Sequence, residues 1–182
     1  EIWTGNTMQW IYDIGASLHA SRHEVERILN LRKRTLQRDK PILVLSHWDI
    51  DHFHCLSCMD NDDIKNSFSK FVCMDAMKSI TSKRTYNTII TALGYKNVYC
   101  LKPVNRTNGI SMHLWNRCGN IAFYVGEKNR NINYCALCLF VSGAYKSSNL
   151  TGDIRLIQAK DIYDREIKKQ LSSSKHVLIA PH

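Results

Sequence analysis

Ile42-Leu-Val-Leu-Ser46-His-Trp-Asp-Ile-Asp-His52 is the stretch on which the fold turns. Its first four residues form an unbroken apolar run with the composition of a buried strand. Directly after it, two histidines and two carboxylates fall within six residues: His47, Asp49, Asp51 and His52. Imidazole and carboxylate are ligands for zinc, manganese or iron, and a strand end can aim several of them at one point. Loops after such strands are also where catalytic residues collect. A single His-x-Asp in this position is ordinarily a solvated turn whose Asp caps the next helix. Four ligand-type side chains with apolar Trp48 and Ile50 between them point instead to a metal site, and to metal-assisted hydrolysis as its chemistry.

Working outward, the 182 residues suffice for one domain with a sizeable core. Hydrophobic residues make up 44% and charged residues 23%, an ordinary globular balance. No apolar run approaches the roughly 20 residues of a membrane span. The first residues lack a basic-then-apolar signal pattern, so the expected location is the cytoplasm. The formal net charge of +9, densest at Arg32-Lys33-Arg34, favours a polyanionic partner such as nucleic acid. The seven cysteines include Cys55-x-x-Cys58 and Cys135-x-x-Cys138, the spacing of a zinc ribbon. The second pair lies in a strand-like run, where positions i and i+3 point to opposite faces, and neither pair has a neighbouring Gly for a knuckle turn. Buried thiols are the better reading.

Strand and helix signals alternate along the chain. Met8–Tyr12 reads as a strand entering an Asp13-Ile-Gly15 turn, and Ser17 or Ser21 caps a helix that runs to about Arg38 and stops at Pro41. A helix opens over Asp51–Met59, and a longer helical region is predicted over Ile64–Leu93, broken near Thr81-Ser82 and ended by Gly94. Strands are predicted over residues 97–101, 110–115, 121–125 and 134–141, with a strand-to-turn element at 149–153. An amphipathic helix over Asp161–Leu171 and a last strand over His176–Ala180 complete the pattern. This is a layered α/β arrangement with two sheets.

Four segments share one grammar, an apolar strand ending in His or Asp: Tyr12-Asp13, Leu45-Ser-His47, Leu150-Thr-Gly-Asp153 and Ile179-Ala-Pro-His182. With the Asp13-x-Gly15 turn, the His47-x-Asp49-x-Asp51-His52 loop, the Gly152-Asp153 turn and the late His182 in this order, the chain resembles metallo-β-lactamase-fold hydrolases. The Asp at the second ligand position, Leu-Thr-Gly-Asp and the late Pro-His make it similar to the C-terminal domain of ComEC-type DNA-uptake proteins and their free-standing relatives. Phe53-His54-Cys55 stand where glycines usually follow the loop. The family's middle histidine has no clear equivalent, since His113 reads as the interior of a strand.

The resemblance implies an α/β (α+β) domain over residues 1–182, a four-layer αββα sandwich truncated at both ends. It implies two divalent ions, zinc or manganese: Asp51, His52 and His182 hold one, His47 and Asp49 the other, and Asp153 bridges them. Asp51 and His52 then form the catalytic pair, Asp51 orienting the attacking water, and Asp13 supports a ligand histidine from behind. The expected activity is that of a phosphodiesterase or nuclease acting on nucleic acid. A small-molecule ester, lactone or cyclic-nucleotide hydrolase and a degenerate binding domain are the alternatives.

Overall fold

The computed structural model describes residues 1–103, 111–113, 120–125, 130–131, 135–142, 146–154, 156–164, 168 and 175–179. The chain forms two compact units, Glu1–Leu101 and Lys102–His182. The described residues are mixed α/β, with helices and two five-stranded sheets.

In the first unit, β1 (Ile2–Thr4) and β2 (Thr7–Tyr12) form an antiparallel hairpin at one edge of the sheet. From β2 onward, β3 (Ile42–Val44), β4 (Lys70–Met74) and β5 (Val98–Leu101) run parallel and neighbour one another in sequence order. Each crossover is helical: α1 (Arg22–Asp39), then the pair α2 (Ile50–Ser57) and α3 (Asn61–Ser67), then α4 (Ile80–Leu93). This connection places the C-terminal ends of β2 to β5 along one edge, where ligands of open parallel sheets bind. Val25 and Leu36 of α1, Ile64 of α3 and Ile89 of α4 are fully buried with Leu43, Phe71 and Cys73 of the sheet.

The helix ends follow the local chemistry. Ser21 and Glu24 form a reciprocal capping box: the Ser21 hydroxyl accepts from the Glu24 N–H at 3.3 Å, and the Glu24 carboxylate accepts from the Ser21 N–H at 2.7 Å. Lys40 turns left-handed (φ 44°) and closes α1 before Pro41. The long helical region expected over Ile64–Leu93 is corrected. Its break lies not at Thr81-Ser82 but between α3 and α4, where Lys70–Met74 forms a strand. Phe71, Val72, Cys73 and Met74 are all buried, so the strand shows none of the alternation that would distinguish it from a buried helical turn. Ser79 accepts from the Ser82 N–H at 3.0 Å, which makes Thr81-Ser82 part of the first turn of α4.

The second unit contains β6 (Ser111–His113), β7 (Asn120–Val125), β8 (Leu137–Ser142) and β9 (Lys146–Leu150), an antiparallel meander, with β10 (Lys175–Ile179) added parallel to β9. Between β9 and β10 runs α5 (Leu156–Ile162). Ala159 of α5 packs with Ala122, Tyr124, Cys138 and Phe140 on one face of the sheet. The helix therefore begins at Leu156, earlier than the Asp161 expected, with Ala159 buried against the sheet. Most of 165–174 lies outside the described residues. The parallel β9–β10 pair sends Asp153 off the same edge toward which the end of β10 points; His182 itself lies outside the described residues.

One polar clamp ties α1 to the hairpin. Asp39 accepts from the Met8 N–H at 2.8 Å and from Arg38 at 2.6 and 2.9 Å, and Arg38 also donates to the Asn6 carbonyl at 3.0 Å. The Arg38 guanidinium, with the Met8 amide, holds the Asp39 carboxyl down at about 2. A carboxyl depressed on folding adds stability above its unfolded value of about 3.9, and that stability is lost as pH falls toward the folded value. Asp39→Asn is therefore expected to flatten the acid limb of the stability profile between about pH 4 and pH 2. Urea unfolding across that window checks it, and an unchanged acid limb refutes it.

Candidate metal centre

The candidate centre grows from adjacent strand ends of the first unit. The chain leaves β3 with Leu45 still paired, its N–H donating to the Val72 carbonyl at 2.8 Å, and then runs through Ser46, His47 and Trp48, all buried. Trp48 anchors this segment. Its indole N–H donates to the Met74 carbonyl at 2.8 Å, and its ring meets Phe53, Phe71 and Tyr86 edge-on. The apolar residues of the loop thus enter the core, and the residues between them are left at the sheet edge.

Asp49 is the N-cap residue of α2, yet its side chain makes no capping hydrogen bond. Its carboxylate stands instead 3.5 Å from His47 Nε2. In the first turn of α2, the Asp51 carboxylate stands 3.6 Å from His52 Nε2. The two imidazole rings lie 4.1 Å apart between centroids.

Behind the rings sits Asp13, the residue after β2, in a left-handed conformation (φ 58°). Such a backbone is uncommon for a residue with a side chain, though Asp tolerates it better than most. Its N–H is held by the Val44 carbonyl at 2.8 Å. Its carboxylate accepts from the Ser46 N–H at 2.7 Å, the Ser46 hydroxyl at 2.8 Å and His52 Nδ1 at 2.9 Å. The Ser46 oxygen also lies 3.0 Å from His47 Nδ1 and 3.2 Å from His52 Nδ1.

Proton bookkeeping assigns the tautomers. A carboxylate only accepts, so His52 Nδ1 carries the hydrogen. Ser46 has one hydroxyl proton, directed to Asp13, so its oxygen accepts the hydrogen of His47 Nδ1. Each Nε2 stands beside a carboxylate, and contacts of 3.5 and 3.6 Å are met either by a proton on Nε2 or by a cation between the two atoms. Two ligands of one zinc ion, each at about 2.1 Å in a tetrahedral arrangement, lie roughly 3.4 Å apart. The donor set and its spacing fit a divalent ion. Asp13, Asp49 and Asp51 also outnumber the imidazoles, giving an acidic focus within a chain of net charge +9. Among the described residues of this unit the ligand atoms stand in pairs, with no three converging.

Gly15 fixes how α2 approaches. Ile14 donates its N–H to the His52 carbonyl at 3.1 Å, and a Cβ on Gly15 would overlap the Asp51 carbonyl and come within 2.9 Å of the His52 Cα. The Asp-x-Gly turn is therefore a docking surface for the first turn of α2.

The structure thus brings together His47, Asp49, Asp51, His52 and Asp13. In the second unit, Asp153 sits in the turn after β9, entered through Gly152 at φ 56°. His182 falls outside the described residues, and His113 lies in β6 opposite Ala122. His54 Nδ1 donates to the Ser17 carbonyl at 3.2 Å, turned away from the pair of rings. Of the cysteines, Cys55 and Cys138 donate to the carbonyls of Gly15 and Thr151, and burial pushes the Cys55 thiol up to about 11 and that of Cys138 higher. Ser46 was the residue without an assigned role in the sequence; its position between strand end and histidine was the available signal.

No known protein-family profile matches the chain, and no curated protein matches it significantly.

Two variants probe this arrangement. Gly15→Ala is expected to displace α2 and to abolish zinc or manganese binding in calorimetric titration, and binding at parental affinity would refute the docking role. Ser46→Ala removes the hydroxyl shared by both rings, and second-sphere losses of this kind typically weaken metal binding about 10- to 100-fold. A Kd unchanged in the same titration would refute it.

Proposed function

We propose that the chain is a metal-dependent hydrolase that cleaves phosphodiester bonds of nucleic acid in the cytoplasm. In this reading, residues 1–182 form one metallo-β-lactamase-like domain, an αββα sandwich to which each unit contributes a sheet. The observation that carries it is the pair of histidines whose Nδ1 atoms are locked from behind by Asp13 and Ser46 while each Nε2 faces a carboxylate. Three hydrogen bonds set the two rings from behind, and rings oriented in this way beside carboxylates support a metal-binding reading.

Asp51 and His52, with His182, would hold one ion and His47 and Asp49 the other, with Asp153 shared between them. Zinc or manganese fits, and carboxylates in place of a histidine shift the preference toward manganese. When bound, the ions supply Lewis acidity that brings a water near ionisation at neutral pH and stabilises charge on the phosphate. Asp51 would orient that water. Asp13 and Ser46 keep both rings in register. In the overall reaction the water oxygen bonds to phosphorus, one ester P–O bond breaks, and the leaving alcohol departs with a proton. The basic surface holds the phosphodiester backbone through salt-dependent contacts that tolerate any sequence. Among the described residues no helix is long and apolar enough to cross a membrane.

Elemental analysis of the purified protein tests this reading beside an Asp51→Ala, His52→Ala double variant. About two ions per chain, lost in the variant, is the outcome expected for a two-metal hydrolase. No bound metal after zinc or manganese is added back would overturn the reading.

A further inference from the structure

Beyond the candidate centre, the first unit carries a groove of about 640 Å³ between the end of α2, the start of α3 and α4. Arg22, His54, Ser57, Asn61, Arg84 and Thr88 are among its lining residues. It continues into a neighbouring hollow along α4 that shares Asn61, Ile80, Arg84 and Thr88 and adds Lys83 and Asn87.

Along α4 the charge of this surface is positive. The sequence of α4, Ile80–Leu93, contains Lys83 and Arg84 and no acidic residue. Both cations are exposed, and among the described residues neither is engaged in an ion pair. The acidic groups of this region lie at the start of α3: Asp60, in the lining, accepts from the Asp63 N–H at 2.8 Å, Asp62 and Asp63 follow in the first turn, and Asp63 stands 3.8 Å from Lys33. Arg22 pairs with Glu26 at 2.9 Å, but both are so exposed that the pair competes poorly with a phosphate. His54 donates its Nδ1 hydrogen to Ser17, which leaves Nε2 as its other polar atom. Hydroxyl and amide groups fill the remaining polar positions. Ile80, 87% exposed, is the large apolar side chain common to both hollows.

Cations that lack carboxylate partners, hydroxyl donors and one exposed apolar side chain match a strand of nucleic acid, with phosphates on the cations and a base or sugar against Ile80. The groove is also connected to the candidate centre. Along α2, the six steps from Asp51 in the first turn to Ser57 at the groove rise about 9 Å. A strand laid along α2 reaches from one to the other.

We propose that the α2–α4 groove is the binding track for single-stranded nucleic acid and delivers it to the metal centre. This rests on the hydrolase reading for what happens to the strand, though not for its capture.

The test uses the full chain and a fluorescein-labelled oligothymidylate followed by fluorescence anisotropy over a salt series. Lys83→Ala, Arg84→Ala is compared with Arg27→Ala, Arg34→Ala, which removes two exposed cations of α1 outside the groove. Loss of two phosphate contacts is expected to weaken binding about tenfold and to reduce the log–log salt slope by about 1.4, with the α1 variant within twofold of the parent. Equal weakening in the two variants, no weakening in either, or tighter binding of duplex than of single strand overturns the proposal. In parallel, hydrolysis of bis(p-nitrophenyl) phosphate with manganese or zinc is measured, and the groove variant is expected to match the parent. If the parent fails to cleave this small diester while the selective binding defect persists, the hydrolase reading fails and the groove stands. If cleavage proceeds and the binding defect is absent, the groove fails alone.

Discussion

The Asp13 carboxylate is the constraint around which the first unit is organised. It joins three elements at once: β2, which it ends; the segment after β3, through Ser46; and α2, through His52. Hydrogen bonds to an ionised acceptor are worth about twice neutral ones, and in a half-buried setting their loss leaves donors unsatisfied. The positive φ of Asp13 is the conformational cost of aiming that carboxylate back along the sheet edge. Next to it, Gly15 supplies the one position with no side chain, so that the backbone of α2 can close on the turn.

Core and site are separated within a few residues by alternation. Trp48 and Phe53 are buried among Phe71 and Tyr86, and that packing holds the segment rigid. His47 is equally buried, but its ring is turned to Ser46 and Asp49. A buried imidazole between a hydroxyl and a carboxylate has its tautomer decided by those neighbours. The Asp49 carboxylate, relieved of capping α2, remains for the site. The buried thiols of Cys55 and Cys138 are likewise engaged by carbonyls, those of Gly15 and Thr151.

The electrostatics of the chain divide by scale. Locally, three aspartates surround the imidazole pair, a field suited to a divalent cation. Globally the surface is basic, with α4 bearing cations alone, a field suited to a polyanion. A cation bound at the acidic focus and a phosphodiester held by the basic face are compatible, because screening limits each field to about 10 Å at ordinary salt.

Sequence alone determined the elements whose signals are local. Ser17 or Ser21 marked the start of α1, Pro41 its end, and the apolar run at 42–45 a strand followed by ligand-type residues, with the Ser21–Glu24 capping box choosing between the two serines. Asp13, His47, Asp49, Asp51 and His52 were legible as a set from residue type and order, and the structure brings their side chains together. Tertiary structure decided what depends on partners far along the chain. Lys70–Met74 became a strand because β3 and β5 flank it, although its four apolar residues in a row have no period to read. Asp49 became available to His47 rather than to a helix cap because Ser46 and Trp48 fix the path of the backbone. Ser46 gained its role only when β2 and β3 were laid side by side, since a hydroxyl's partners depend on distance in space and not on position in sequence.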